Sequence, residues 1–151
     1  METSLPKITI NSTMLSDIDK ALKTEWLVTN GLGGYASSSV LGINARKYHG
    51  LLVAALNPPV DRRVLLAKLD EEILLDNKTY YFGANESTQG IQPKALRFPT
   101  YFSLAPFPTY EYNVDQSLLL KKTTFMPHEK TASITLYQVN NNSQEKARVS
   151  V

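Results

Sequence analysis

Apolar and polar positions in the C-terminal half of this chain alternate with a period of two. Tyr110, Tyr112 and Val114 fall on one side of an extended backbone, and Glu111, Asn113 and Asp115 on the other. That pattern predicts a strand with one buried face. Ser117 to Phe125 and Thr131 to Val139 predict a hairpin closed across Met126 to Lys130. In its return strand Ala132, Ile134 and Leu136 share a face. Asn140 to Ser143 predicts a turn, and Ala147 to Val151 the start of a further strand. A strand pattern still running at the last residue leads us to expect a domain cut before its natural end.

Upstream the pattern is again mostly short and extended. Ile8 to Asn11 predicts a first strand. Ser16 to Lys23 predicts a short helix, with Ser16 as N-cap and Ile18 and Leu22 four apart. Arg63 to Leu75 predicts two short strands or one bulged strand. Leu65, Leu69 and Glu72 have helical spacing, but Asp76-Asn77-Lys78 is a turn and Thr79 to Phe82 is rich in β-formers, which favours a hairpin. Gly83 to Lys94, with Asn85, Ser87, Gln89 and Pro93, reads as a polar loop. Arg97 to Tyr112 reads as strand interrupted by bends at Pro99, Pro106 and Pro108. Many short strands with turns at roughly ten-residue spacing predict a mainly all-β chain, an antiparallel β-sandwich with one short N-terminal helix.

The stretch from Glu25 to Ala54 makes the strongest local demands. It holds the single tryptophan, Trp26, a run of glycines at Gly31, Gly33, Gly34 and Gly42, and His49. Glu25 to Thr29 predicts a strand, Asn30 to Gly34 a tight loop, and Tyr48 to Leu56 a buried strand. Asn57-Pro58-Pro59 ends that strand. Gly31-Leu32-Gly33-Gly34-Tyr35-Ala36 fits the glycine spacing of a dinucleotide fingerprint. The fingerprint needs a helix to begin at the glycines and an acidic residue about 20 positions on. Ser37 to Gly42 is a poor helix, and the acidic position falls in the apolar strand. Nucleotide binding is therefore rejected.

The same stretch resembles the opening motif of the N-terminal domain of bacterial and archaeal glycogen debranching enzymes of the amylo-α-1,6-glucosidase type. The resemblance rests on Glu25-Trp26-Leu27, Thr29-Asn30-Gly31, Gly33-Gly34-Tyr35, Asn44, Arg46 and Tyr48-His49-Gly50-Leu51-Leu52. It continues through Pro58-Pro59, Arg62 or Arg63, Leu69-Asp70-Glu71, Phe98 and Pro108, and so spans about Glu25 to Tyr137. It implies a supersandwich-like β-domain over residues 25–151, after a lead-in at 1–24. It also implies a separate α/α-barrel domain, absent from this chain, that carries the glycosidase carboxylates. The expected role is non-catalytic: to help shape a cleft for glycogen or a related α-glucan, with the chain inactive by itself. Two other readings stay open. One is a freestanding carbohydrate-binding sandwich. The other is a structural domain that assembles, as a homo-oligomer, through its exposed terminal strand.

Composition narrows the partners. The chain has 151 residues and a formal charge of +2, so neither length nor charge points to a nucleic-acid partner. It has no cysteine, hence no disulfide or thiolate site, and two histidines are too few for a metal centre without clustered acids. No cofactor is implied. The N-terminal residues lack the basic and apolar regions of a signal peptide, and no apolar run reaches the ~20 residues of a membrane helix. We therefore expect a cytoplasmic protein without membrane contact. The N-x-S/T sequons at Asn11, Asn77, Asn85 and Asn141 are then polar loop markers.

Hydrolysis of a glycosidic bond needs two carboxylates across it. Glu25, Asp61, Asp70, Glu71, Glu72 and Glu111 are available. Ion-paired or solvated carboxylates are the plainer reading of all six, so none is assigned a catalytic role. Sugar binding needs an aromatic face and planar polar groups. Trp26, Asn30, Tyr35, Asn44, Arg46, Tyr48 and His49 are the substrate-binding candidates. Trp26 in a strand could as well be core, and Asn30 and Asn44 could be turn formers. Arg46 invites a bidentate partner, which could be substrate or a carboxylate such as Glu25.

Overall fold

The computed structural model describes residues 7–88, 90–92 and 98–151. Readings that fall on residues 1–6, Gln89, Pro93, Lys94 and Arg97 lie outside the described residues. The strands are β1 (Ile8–Asn11), β2 (Glu25–Thr29), β3 (Tyr35–Ser39), β4 (Gly50–Asn57), β5 (Val60–Leu66), β6 (Glu72–Leu75), β7 (Lys78–Tyr81), β8 (Asn85–Ser87), β9 (Gly90–Gln92), β10 (Tyr101–Leu104), β11 (Pro108–Asn113), β12 (Leu118–Phe125), β13 (Ile134–Asn141) and β14 (Arg148–Ser150). Two short helices, α1 (Ser12–Leu15) and α2 (Ile18–Lys23), lie between β1 and β2.

All strand pairs are antiparallel, and the fold is an all-β sandwich. A five-stranded sheet runs β1-β10-β11-β12-β13, and a four-stranded sheet runs β2-β3-β4-β5. The three-stranded sheet β14-β6-β7 and the β8–β9 hairpin complete it.

The inner face of the five-stranded sheet carries one row of side chains across all five strands. The register joins Ile10 to Phe102, Phe102 to Tyr110, Tyr110 to Lys122, and Lys122 to Tyr137. Trp26 on β2 meets this row edge-on, with ring centroids 6.5 Å from Tyr110. Its indole N–H donates to the Tyr110 hydroxyl, which donates in turn to the Ser39 carbonyl at 2.7 Å. Burial of Trp26, Phe102 and Tyr110 thus locks the two large sheets together. Each such ring contributes about 1.5–3 kcal/mol by area alone, and the polar tips are satisfied, as buried tips must be. Phe82, just after β7, packs edge-on against Tyr112 at 5.0 Å and ties in the three-stranded sheet.

The alternation read along β11 is observed: Tyr110, Tyr112 and Val114 are buried. The Arg63–Leu75 region forms two strands, and Asp76 and Asn77 turn the β6–β7 hairpin with φ of 48° and 55°. Two central residues at positive φ match the right-handed twist of the flanking strands.

Other expectations change. Ser16 is not the N-cap of the helix. Asp17 caps α2 by accepting from the Lys20 N–H at 3.2 Å, and Asn11 caps α1. Ser16 closes α1 instead, its hydroxyl donating to the Thr13 carbonyl. An ionised carboxylate one residue nearer the helix outcompetes the hydroxyl. The 83–94 loop contains the small β8–β9 hairpin, whose polar sequence hid it. β13 extends to Asn141, and its inward residues are Thr135, Tyr137 and Val139, with Ile134 and Leu136 facing outward and 37% and 56% exposed. Asn141 then organises the turn, accepting from Ser143 and donating to the Glu145 carbonyl.

Candidate functional site

The candidate site lies on the outer face of β2-β3-β4-β5. Two features of the local sequence build it. A loop of small residues joins β2 to β3, and the segment between β3 and β4 folds back over the sheet.

The β2–β3 loop is fixed rather than free. Asn30 is buried, and its side-chain oxygen accepts from the Leu32 and Gly34 amides at 2.9 and 3.0 Å. Its amide nitrogen donates to the Lys130 carbonyl at 2.9 Å, and its own carbonyl accepts from the Glu129 N–H at 2.7 Å. Gly33 has φ +91°, and a Cβ there would stand 2.7 Å from the Pro59 carbonyl oxygen. Only glycine permits both the conformation and that approach. Arg62 on β5 closes the arrangement by donating from Nε to the Gly33 carbonyl at 2.7 Å.

The β3–β4 segment brings Arg46, Tyr48 and His49 back to β2. One Glu25 oxygen lies 2.5 Å from Arg46 Nε and 3.3 Å from His49 Nε2. His49 Nδ1 accepts from the Ala45 N–H at 3.1 Å. A neutral ring therefore carries its proton on Nε2, toward Glu25. That N–H is buried and out of line for a hydrogen bond to the carboxylate. Burial holds the imidazole below its ordinary pKa; Glu25 opposes the shift and Arg46 adds to it. The Tyr35 hydroxyl donates to the Tyr48 carbonyl at 3.0 Å. Tyr48 itself is 68% exposed, and Lys47 Nζ sits 5.7 Å from its ring centroid.

A groove of about 400 Å³ is lined by Glu25, Leu27, Tyr35, Arg46, Tyr48 and His49, together with Trp26 and Ser37. A second, of about 550 Å³, continues past Tyr35 and Tyr48 to Lys47, Val53, Arg62 and Val64. The structure thus gathers four of the seven candidates, Tyr35, Arg46, Tyr48 and His49, at one groove. Trp26 borders it from below, but its ring is in the core. Asn30 serves the loop. Asn44 accepts from Ser38 and donates to the Ala67 carbonyl at 2.9 Å, so its amide also serves the fold. Lys47 and Val64 belong to the groove without having been singled out in the sequence, and Leu27 lay in a matched motif without any sign that it faces a groove. Arg62 lay in a matched motif without any hint of its place.

Behind the surface the His49 imidazole is buried, with Nδ1 taken by the Ala45 amide; the groove itself offers two aromatic rings and a guanidinium–carboxylate pair. These can stack on a sugar ring and bond its hydroxyls. They do not supply the two carboxylates that glycoside hydrolysis needs, because Glu25 is the one carboxylate in this lining and it is held by Arg46. The other acids are placed elsewhere. Glu71 is buried, with one oxygen bound by Lys122 Nζ and, at 2.5 Å, by the Tyr137 hydroxyl. Lys68 pairs with Asp70, Arg63 with Asp61 and Lys121 with Glu111. Among the described residues no group of three histidines or acids is placed to hold a metal ion, and no helix is long and apolar enough to cross a membrane.

Comparison with curated proteins and with solved structures gave no match. The family model described as glycogen debranching enzyme N terminal matches residues 24–151. That span runs from the residue before β2 to the last residue and includes every side chain of the groove. The chain belongs to the glycogen debranching enzyme N-terminal family.

Proposed function

We propose that this domain shapes the substrate cleft of a glycogen debranching enzyme and contacts the α-glucan through the Tyr35–Tyr48 groove. The supporting observation is the convergence of Tyr35, Arg46 and Tyr48 on one open surface, with His49 buried behind them, beside a loop that is fixed from three sides. Loops held on a rigid sheet are where binding residues are placed most often. The two phenol rings supply the apolar faces, and the Arg46–Glu25 pair supplies donors and acceptors for hydroxyl groups. Hydrolysis of the α-1,6 linkage is assigned to carboxylates of an α/α-barrel domain, because the groove holds no second carboxylate to complete a catalytic pair. By itself the chain is inactive.

An amide NMR titration with maltooligosaccharides and a branched glucan tests this. Shifts at Tyr35, Arg46, Tyr48 and His49, abolished in Tyr48→Ala with the fold intact, support it. No shift at millimolar glucan would overturn direct contact. Measurable α-1,6-glucosidase activity from this chain would overturn the assignment of catalysis elsewhere.

A further inference from the structure

The half of the groove beyond Tyr48 differs electrostatically from the half at Glu25. It is lined by Tyr35, Lys47, Tyr48, Val53, Arg62 and Val64, which include two cations and no carboxylate. Strand parity explains the imbalance. Arg62 and Val64 share one face of β5, while Asp61 and Arg63 share the other and pair together at 3.4 Å. The acid nearest in sequence is thereby turned away and already used. Like most of the described lysines and arginines, Lys47 and Arg62 have no carboxylate within ion-pair distance among the described residues, so their charges are free to meet an anion.

Arg62 is also oriented. Its Nε is committed to the Gly33 carbonyl, so the guanidinium plane is fixed and its terminal nitrogens remain as donors. Lys47 is positioned by Tyr48, whose ring it approaches. Two cations held beside two phenol rings, over a floor of Val53 and Val64, match an anion attached to a ring with an apolar face. A phosphate monoester on a hexose has that form: a dianion near neutral pH, on a pyranose.

We infer that the Lys47–Arg62 half of the groove is an anion subsite that binds a phosphorylated hexose, either as a free sugar phosphate or as a phosphorylated unit of a glucan chain. This goes beyond the cleft reading and does not require it. The sugar ring stacks on Tyr48, and the phosphate is held between Lys47 Nζ and the Arg62 guanidinium.

The test is an NMR and calorimetric titration of the chain with glucose 6-phosphate, glucose, inorganic phosphate and maltotriose. We expect glucose 6-phosphate to bind at least about tenfold more tightly than glucose or inorganic phosphate, with shifts at Lys47, Tyr48, Arg62 and Val64. Raising salt to about 0.15 M should weaken it while leaving maltotriose unchanged. Lys47→Gln should remove most of the preference. Arg62→Lys, which keeps the charge but not the fork, should reduce it without unfolding the loop. Equal responses to glucose and glucose 6-phosphate would overturn the inference, as would inorganic phosphate binding as tightly as the sugar phosphate. Maltotriose shifts at Arg46 and His49 without any glucose 6-phosphate binding would overturn it while leaving the cleft reading intact. Glucose 6-phosphate binding with no maltotriose response would support it and count against the cleft. A phosphorylated glucan that binds as tightly as glucose 6-phosphate places the ester on the polymer; one that does not places it on the free sugar.

Discussion

Glu71 offers the sharpest test of how the sandwich is held together. Its side chain is 1% exposed and that of its partner Lys122 is 10% exposed. One carboxylate oxygen takes both the Lys122 ammonium and the Tyr137 hydroxyl. Glu71→Leu leaves that ammonium beneath two sheets with no counter-charge. Stranding one member of a buried pair costs about 3–5 kcal/mol. That is a large share of the 5–15 kcal/mol expected for a whole domain. At about 2–4 °C per kcal/mol, the melting temperature falls by about 6–20 °C. Lys122→Met strands the carboxylate instead and costs a similar amount. The double variant Glu71→Leu/Lys122→Met removes both charges and lands within about 1 kcal/mol of the wild type, or above it. Urea denaturation of the four proteins yields the coupling directly, as a cycle. A Glu71→Leu cost below about 1 kcal/mol, or a double variant as unstable as the singles added together, would refute the buried-pair account.

Three further outcomes follow from the geometry. His49 is held below its ordinary pKa by burial, so the unfolded chain takes up its proton first as pH falls; stability is full above about pH 6.5 and is lost as pH falls below it, and His49→Asn flattens that slope in melts taken between about pH 5 and 7.5. Gly33→Ala, at φ +91° and against the Pro59 carbonyl, destabilises by about 2–4 kcal/mol in chemical denaturation, whereas Gly90→Ala, with open space around it, costs only about 1 kcal/mol of backbone strain. Arg46→Ala removes a solvent-exposed ion pair and lowers stability by no more than about 1 kcal/mol, while weakening glucan binding in the NMR titration; a stability loss above about 2 kcal/mol would mean that Arg46 serves the fold.

The parts of this fold that the sequence reveals are those governed by nearby residues. Parity along β11 gave its buried face, and the Asp76–Asn77 turn gave the β6–β7 hairpin. Parity leaves the buried face open where both faces are eligible. On β13 both faces carry apolar residues, so Ile134 and Leu136 look as eligible for the core as Tyr137 and Val139. The polar β8 and β9 have no apolar face to read. Pairings across the sandwich leave no local trace at all. Glu71 meets Lys122 across 51 positions, and nothing around either residue foretells the other. The Arg46–Glu25 pair was foreseeable because both lie in one dense motif, whereas the other half of the groove takes Arg62 and Val64 from β5, outside that stretch, and was not legible.

The pairing of β1 with β10 bears on the order in which the protein is made. Ile10 faces Phe102, so the edge strand of the five-stranded sheet has no partner until roughly 90 further residues exist. At the usual ribosomal pace of 5–20 residues per second, that interval lasts about 5–20 s. During it β2 to β5 can pair among themselves and α2 can pack on β3, whereas β1 has no strand to join. β1 is thus made well before it can be folded. A nascent chain stalled near residue 95 should protect the amides of β3 and β4 from exchange while leaving Thr9 and Ile10 open.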